Sequence, residues 1–206
     1  MFKNSKNYMP TYVLVAVNIA VYAFTSFLSG NAIEMSDQVL LQFGQFNPSI
    51  IYNGEVWRLF TGMFVHANIA HIVGNMLFLF IYGLRAEDMF DIKEYLLIYF
   101  MSGLAGGLLT LFLWPGSLSV GASGAIFGMI GATMVYLRRA IGQSIITALM
   151  FVFFLLVFNF GPNVNYLAHL GGLAVGLLIG YVLAATRKPR QQVNYQFKYP
   201  SSYEGQ

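Results

Sequence analysis

Five side chains in this sequence are of types that can carry hydrolytic chemistry: His66, His71, Asn75, Ser123 and His169. A serine hydroxyl is a weak nucleophile until a neighbouring neutral imidazole takes its proton, and the same imidazole can return that proton to a leaving amine. Ser123 and His169 fit these roles. The tetrahedral intermediate of such a reaction carries an oxyanion that needs preorganised donors. Asn75 offers an amide N–H, His71 a ring N–H, and the backbone N–H of Ser123 would sit at a helix N-terminus, where the dipole favours negative charge. His71 and Asn75 are four residues apart and share one helix face.

Composition says where these groups lie. The 206 residues are 57% hydrophobic and 9% charged, against about 25% charged in a soluble domain. Residues 7–33, 59–84, 95–137 and 140–186 contain no Asp, Glu, Lys or Arg. A helix crosses a bilayer with about 20 mostly apolar residues. The last two stretches are long enough for two crossings each. They are divided by Trp114-Pro115-Gly116-Ser117 and by Asn159-Phe160-Gly161-Pro162-Asn163, runs suited to chain reversal. The sequence therefore predicts an all-α polytopic membrane protein of six spanning segments, at 10–29, 68–85, 92–113, 121–138, 143–159 and 165–185.

Basic residues orient the segments, because short loops rich in Lys and Arg stay cytosolic. Lys3 and Lys6 precede the first segment, Arg85 and Lys93 lie between the second and third, and Arg138 and Arg139 follow the fourth. Arg187, Lys188, Arg190 and Lys198 follow the sixth, leaving Arg58 alone on the opposite side. Both termini are expected in the cytosol, with 187–206 a flexible tail. Residues 30–67, 114–120 and 160–164 are expected outside. The long outer loop 30–67 carries Val39, Leu40, Leu41, Phe43, Phe46, Ile50, Ile51, Val56 and Trp57, which predicts packing onto or into the membrane interface. The net charge of +3 is thus a topology signal, and no nucleic-acid partner is implied.

This orientation brings His71, Ser123 and His169 to one depth near the outer ends of three segments. His169, Gly172, Gly176 and Gly180 follow three- and four-residue spacing on the sixth, and Gly124, Gly128 and Ala132 form a matching strip on the fourth. Small-residue strips let two membrane helices approach closely. If these two strips face each other, Ser123 and His169 come within hydrogen-bonding range. A lone membrane serine commonly bonds its own backbone, and a glycine strip commonly serves packing alone; the combination supplies the parts of a hydrolase. No Asp or Glu lies in the last three segments, so the expectation is a Ser–His dyad rather than a triad. A haem protein would need neither Ser123 nor Asn75, and a transporter would carry polar groups in the inner halves of its helices. There is no cysteine and no His-Glu-x-x-His, so neither a thiolate site nor that metalloprotease motif is present, and no metal or other cofactor is implied.

These residues, in this order, resemble the rhomboid family of intramembrane serine proteases. Trp57-Arg58 matches the family's outer-loop pair, and His66, His71 and Asn75 match its second-helix pattern. Gly83 and Glu87 match Gly-x-x-x-Glu, Gly121-Ala122-Ser123-Gly124 matches Gly-x-Ser-Gly, and Ala168-His169 with Gly172, Gly176 and Gly180 matches the sixth-helix motif. The resemblance implies a rhomboid catalytic domain over 1–186 with Ser123 as nucleophile, His169 as base, and His71 and Asn75 as oxyanion stabilisers. His66, Phe127, Gly124, Gly172 and Gly176 would support them. It implies single-pass transmembrane substrates cleaved near the outer ends of their helices, with the fifth segment and loop 160–164 as gate and cap. The six-helix form is similar to that of prokaryotic members, in the cell membrane with the site toward the outer face. Phe127 departs from a tyrosine common in relatives; ring stacking on the base is expected to survive, the hydroxyl not. A binding-only relative would be marked by loss of the nucleophile or base, and both are kept here.

Overall fold

A computed structural model of the chain describes residues 9–141 and 164–187. Ten elements are described in chain order. Helix α1 is Met9–Ser29, followed by α2 Asp37–Phe43, strand β1 Gln45–Phe46, α3 Asn47–Asn53 and α4 Arg58–Thr61. Then come α5 Ile69–Met89, α6 Ile92–Leu113, strand β2 Leu118–Ser119, α7 Ser123–Ile141 and α8 Tyr166–Thr186. The expected fifth segment, 143–159, lies outside the described residues. So do 160–163 of the expected cap and the tail beyond Arg187.

Four of the described helices, α1, α5, α6 and α8, are long and apolar enough to cross a membrane. Their outward faces carry large apolar side chains, among them Val13, Phe27, Val73, Leu77, Leu97, Phe112 and Leu178. Such a surface is stable in hydrocarbon and would aggregate in water. Helix α7 is of a different kind. Every residue from Gly124 to Thr133 is buried, because α5, α6 and α8 all pack against it. Its polar first residue and its arginines Arg138 and Arg139 lower its apolarity, and its surroundings are protein.

Buried residues mark the helix faces. On α1 they are Thr11, Leu14, Asn18, Tyr22 and Thr25, a three-and-four spacing that meets the matching face Ile72, Asn75, Leu79, Gly83 and Ala86 of α5. At the end remote from Ser123, the Thr11 N–H donates to Glu87 Oε1 at 2.9 Å, and the Thr11 and Tyr95 hydroxyls lie 3.0 Å apart. A Cβ on Gly83 would strike both of those side chains. The Gly-x-x-x-Glu pattern thus joins α1, α5 and α6.

Two boundaries differ from expectation. Helix α5 runs on to Met89, so Arg85 is helical and the connection to α6 is only Phe90 and Asp91. Arg85, Ala86, Glu87 and Met89 are good helix formers; the break comes at Asp91, which forms a reciprocal capping box with Glu94. Likewise α7 extends through Arg138 and Arg139 to Ile141. Arg187, expected to begin a flexible tail, is anchored. It donates to the Met89 carbonyl at 2.5 Å, pairs with Glu94, and lies over the Phe90 and Tyr136 rings.

The long loop 30–67 holds α2, α3, α4 and β1. Strand β1 pairs antiparallel with β2, Gln45 opposite Ser119 and Phe46 opposite Leu118. Arg58 organises this segment from within: one guanidinium nitrogen donates to the carbonyls of Leu41, Gln42 and Gly44 at 2.8–2.9 Å, and Glu55 balances its charge. Leu41 and Gln42 belong to the last turn of α2, whose carbonyls have no helical partner, while the Gly44 carbonyl also accepts the Phe46 N–H. Leu41, Ile51, Val56 and Trp57 stay exposed, an exterior suited to the membrane interface.

Candidate active site

Ser123 opens α7, and the residues before it set its position. Gly121 has φ +113°, a conformation that side-chain-bearing residues rarely adopt. Its N–H donates to the Gly62 carbonyl at 3.0 Å, fastening the loop before Ser123 to the end of α4. A Cβ at 121 would strike the His71 ring and approach the Asn75 amide. The first glycine of Gly-x-Ser-Gly therefore keeps space open beside those two side chains.

Ser123 Oγ lies 2.8 Å from His169 Nε2. The close approach of α7 and α8 makes this possible. A Cβ on Gly172 would overlap the Gly124 carbonyl, one on Gly176 the Gly128 backbone, and one on Gly180 the Ala132 backbone. The two strips face each other residue for residue, as their spacing suggested. Because the obstacles are main-chain atoms, only glycine permits this separation.

The imidazole of His169 is 5% exposed. Phe127 stacks on it, ring centroids 4.4 Å apart and planes inclined at 19°, so the stacking partner survives without a hydroxyl. His169 Nδ1 has no hydrogen-bond partner among the described residues.

His71 and Asn75 line the same cavity, of about 950 Å³, as Ser123 and His169. Asn68 caps α5 by accepting the His71 N–H at 2.8 Å, which sets the start of the helix that presents both. One N–H of the Asn75 amide bonds the His71 carbonyl at 3.0 Å; an amide has two, so the second can donate to a group in the cavity. His66 is fully buried and lies outside the cavity lining. It meets the His71 ring edge-on at 5.1 Å, and its Nδ1 is 3.2 Å from the Phe64 carbonyl. Burial, and then the neighbouring His71, push its imidazole down to about 3, which favours the neutral ring.

Several polar residues of the site escaped the sequence reading. Gln45 Nε2 donates to Asn47 Oδ1 and to the Gly107 carbonyl, both at 2.9 Å. Asn47 Nδ2 reaches the Trp114 carbonyl at 2.9 Å and Ser117 Oγ at 3.1 Å. Thr110, Ser119 and Asn165 continue this belt around the outer end of the bundle. The available signal was the run Ser102-Gly103, Gly106-Gly107 and Thr110, a small-residue face at helical spacing on α6.

Comparison with known proteins adds to this geometry. The Rhomboid domain family matches residues 53–186, more than half of the chain and all of the elements just described except α1, α2, β1 and all but the last residue of α3. RHOMBOID-like protein 1 of Arabidopsis thaliana is 33% identical over 88% of this chain and 55% of its own length. Rhomboid-like protease 3 of Toxoplasma gondii is 32% identical over 81% of this chain and 66% of its own. Rhomboid protease GluP of Bacillus subtilis (strain 168) is 33% identical over 89% and 36%. The chain thus spans about half the length of the Arabidopsis relatives it matches. With a family match over most of the bundle, relatives at about one third identity, and four helices apolar enough to cross a bilayer, the chain is an integral membrane protein of the rhomboid family.

Proposed function

We propose that the protein is an intramembrane serine endopeptidase in which Ser123 attacks a peptide carbonyl and His169 serves as general base and then general acid. The observation that carries this reading is the 2.8 Å approach of Ser123 Oγ to His169 Nε2 inside a cavity. As Oγ bonds to the carbonyl carbon, its proton passes to Nε2, and the carbonyl oxygen becomes an oxyanion facing His71, Asn75 and the N-terminus of α7. Collapse expels the amine, which takes the proton from Nε2. Water, deprotonated in turn by His169, then hydrolyses the acyl-enzyme and frees Ser123.

The substrates in this reading are single-pass membrane proteins. A bilayer helix satisfies its backbone bonds internally, so a segment must unwind before its carbonyl can be attacked; cleavage near an outer helix end meets that need with the least disruption. The basic-residue pattern supports six crossings with both termini in the cytosol and the site toward the outer face of a prokaryotic cell membrane.

A fluorophosphonate probe should label the wild-type protein in membranes and fail to label Ser123→Ala. Equal labelling of both proteins would refute the assignment of the nucleophile. For Asn75→Ala, turnover of a reporter transmembrane substrate should fall about 10²-fold, the usual loss on removing one oxyanion donor. An unchanged turnover would make Asn75 a packing residue only.

A further inference from the structure

Asn165 lies four residues before His169, at the N-cap of α8, and every polar atom of its side chain is engaged. Oδ1 accepts the Ala168 N–H at 3.0 Å, the cap that starts the helix. Nδ2 donates to Thr110 Oγ1 at 3.0 Å and to Ser119 Oγ at 2.5 Å. The direction of the Thr110 bond follows from proton supply: the Thr110 hydroxyl gives its one proton to the Gly106 carbonyl at 2.9 Å and therefore accepts from the amide. One side chain thus ties the first turn of α8 to α6 and to β2.

Those two anchors are themselves held. Ser119 pairs with Gln45 across the β1–β2 ladder, and Gln45 reaches the Gly107 carbonyl on α6. Below the cap, the Ala168 carbonyl is gripped from two sides, since a Cβ on either Gly106 or Gly124 would run into it. The glycine strips fix how closely α7 and α8 approach, yet parallel strips can slide or rotate about their line of contact. A bond from the cap to two other elements removes both freedoms. We infer that Asn165 is a positioning residue, setting the height and rotation of α8 so that His169 Nε2 meets Ser123 Oγ. This role rests on the dyad reading above.

The test measures kcat and KM for a reporter transmembrane substrate in proteoliposomes, per Ser123 titrated to completion with a fluorophosphonate, so that misfolded molecules are not counted. Asn165→Ala should lower kcat by about 10- to 100-fold with KM within twofold, as expected for a misplacement of up to about 1 Å at reacting atoms. Asn165→Asp should recover most of that loss, because a carboxylate still accepts the Ala168 N–H and can accept from the Ser119 hydroxyl, and from the Thr110 hydroxyl once its proton turns from the Gly106 carbonyl toward position 165, 3.2 Å away. Removing both anchors, with Thr110→Val and Ser119→Ala together, should lower kcat similarly, and adding Asn165→Ala to that pair should lower it less than twofold more. A wild-type kcat per titrated site in Asn165→Ala would overturn the inference. So would a raised KM at unchanged kcat, which would make Asn165 a substrate contact, or losses that simply multiply in the combined variant. If Asn165→Ala fails to fold, the Asp variant and the anchor pair decide the matter by the same criteria. Cleavage by Ser123→Ala would instead refute the dyad itself, whereas an inactive Ser123→Ala beside a fully active Asn165→Ala refutes only the positioning role.

Discussion

Replacing Ser123 by alanine should reduce turnover of a reporter transmembrane substrate by at least about 10⁴-fold, and His169→Ala should do the same. Without Oγ there is no atom to form the acyl bond. Without the imidazole, nothing at 2.8 Å takes the proton. Because the two act as one unit, the double variant should be no slower than either single one. Stability should change little in Ser123→Ala. Ser123 is only partly buried, and the substitution removes one hydrogen bond, a loss on the order of 1 kcal/mol. The measurement is cleavage in membranes beside the yield of folded protein. Turnover above a few per cent of wild type, in either single variant, would remove the dyad assignment.

The second large effect is expected far from the chemistry. Gly176 lies seven residues beyond His169, about two helical turns away, and touches no reacting atom. A Cβ there meets the Gly128 backbone, which cannot rotate out of the way as a side chain would. Gly176→Val should therefore push α8 off α7, destabilising the fold by about 3 kcal/mol or more, and abolish cleavage by drawing His169 away from Ser123. Gly74→Ala is the comparison for stability: a Cβ at 74 meets nothing within 4 Å, and alanine is the better helix former. The readouts are the unfolding midpoint in one detergent and cleavage of the reporter. A Gly176→Val protein with wild-type midpoint and turnover would show that α7 and α8 do not need this close approach.

Much of the site was legible before any coordinates. Polar groups are rare in an apolar chain, so His71, Asn75, Ser123 and His169 stood out, and charge placement set them at a common depth. The spacing of Gly172, Gly176 and Gly180 against Gly124, Gly128 and Ala132 already contained their pairing, because residues three and four apart share a helix face. The stacking of Phe127 on His169 was expected only from the family resemblance, in which an aromatic ring at this position stacks on the histidine. Less was legible in loop 30–67. Its apolar content suggested contact with the interface, but α2, α3, α4 and β1 are short, and β1 exists only because β2, some 70 residues later, pairs with it. Arg58 looked like an isolated charge on the wrong side of the membrane, whereas its partners are mostly carbonyls, which the sequence does not display.

Sequence alone determined which side chains have the chemistry to react, that α1, α5, α6 and α8 are apolar enough to cross a bilayer, and which faces are small enough to touch. Periodicity carries that information because it is local. Only the tertiary structure decided how those faces are turned toward one another and what holds them there. Asn47, Thr110, Ser119 and Asn165 are ordinary polar residues, separated by 46 to 70 positions from the side chains they bond. Such bonds leave no spacing to read, yet they set the rotation of α8 on which the distance between Ser123 and His169 depends.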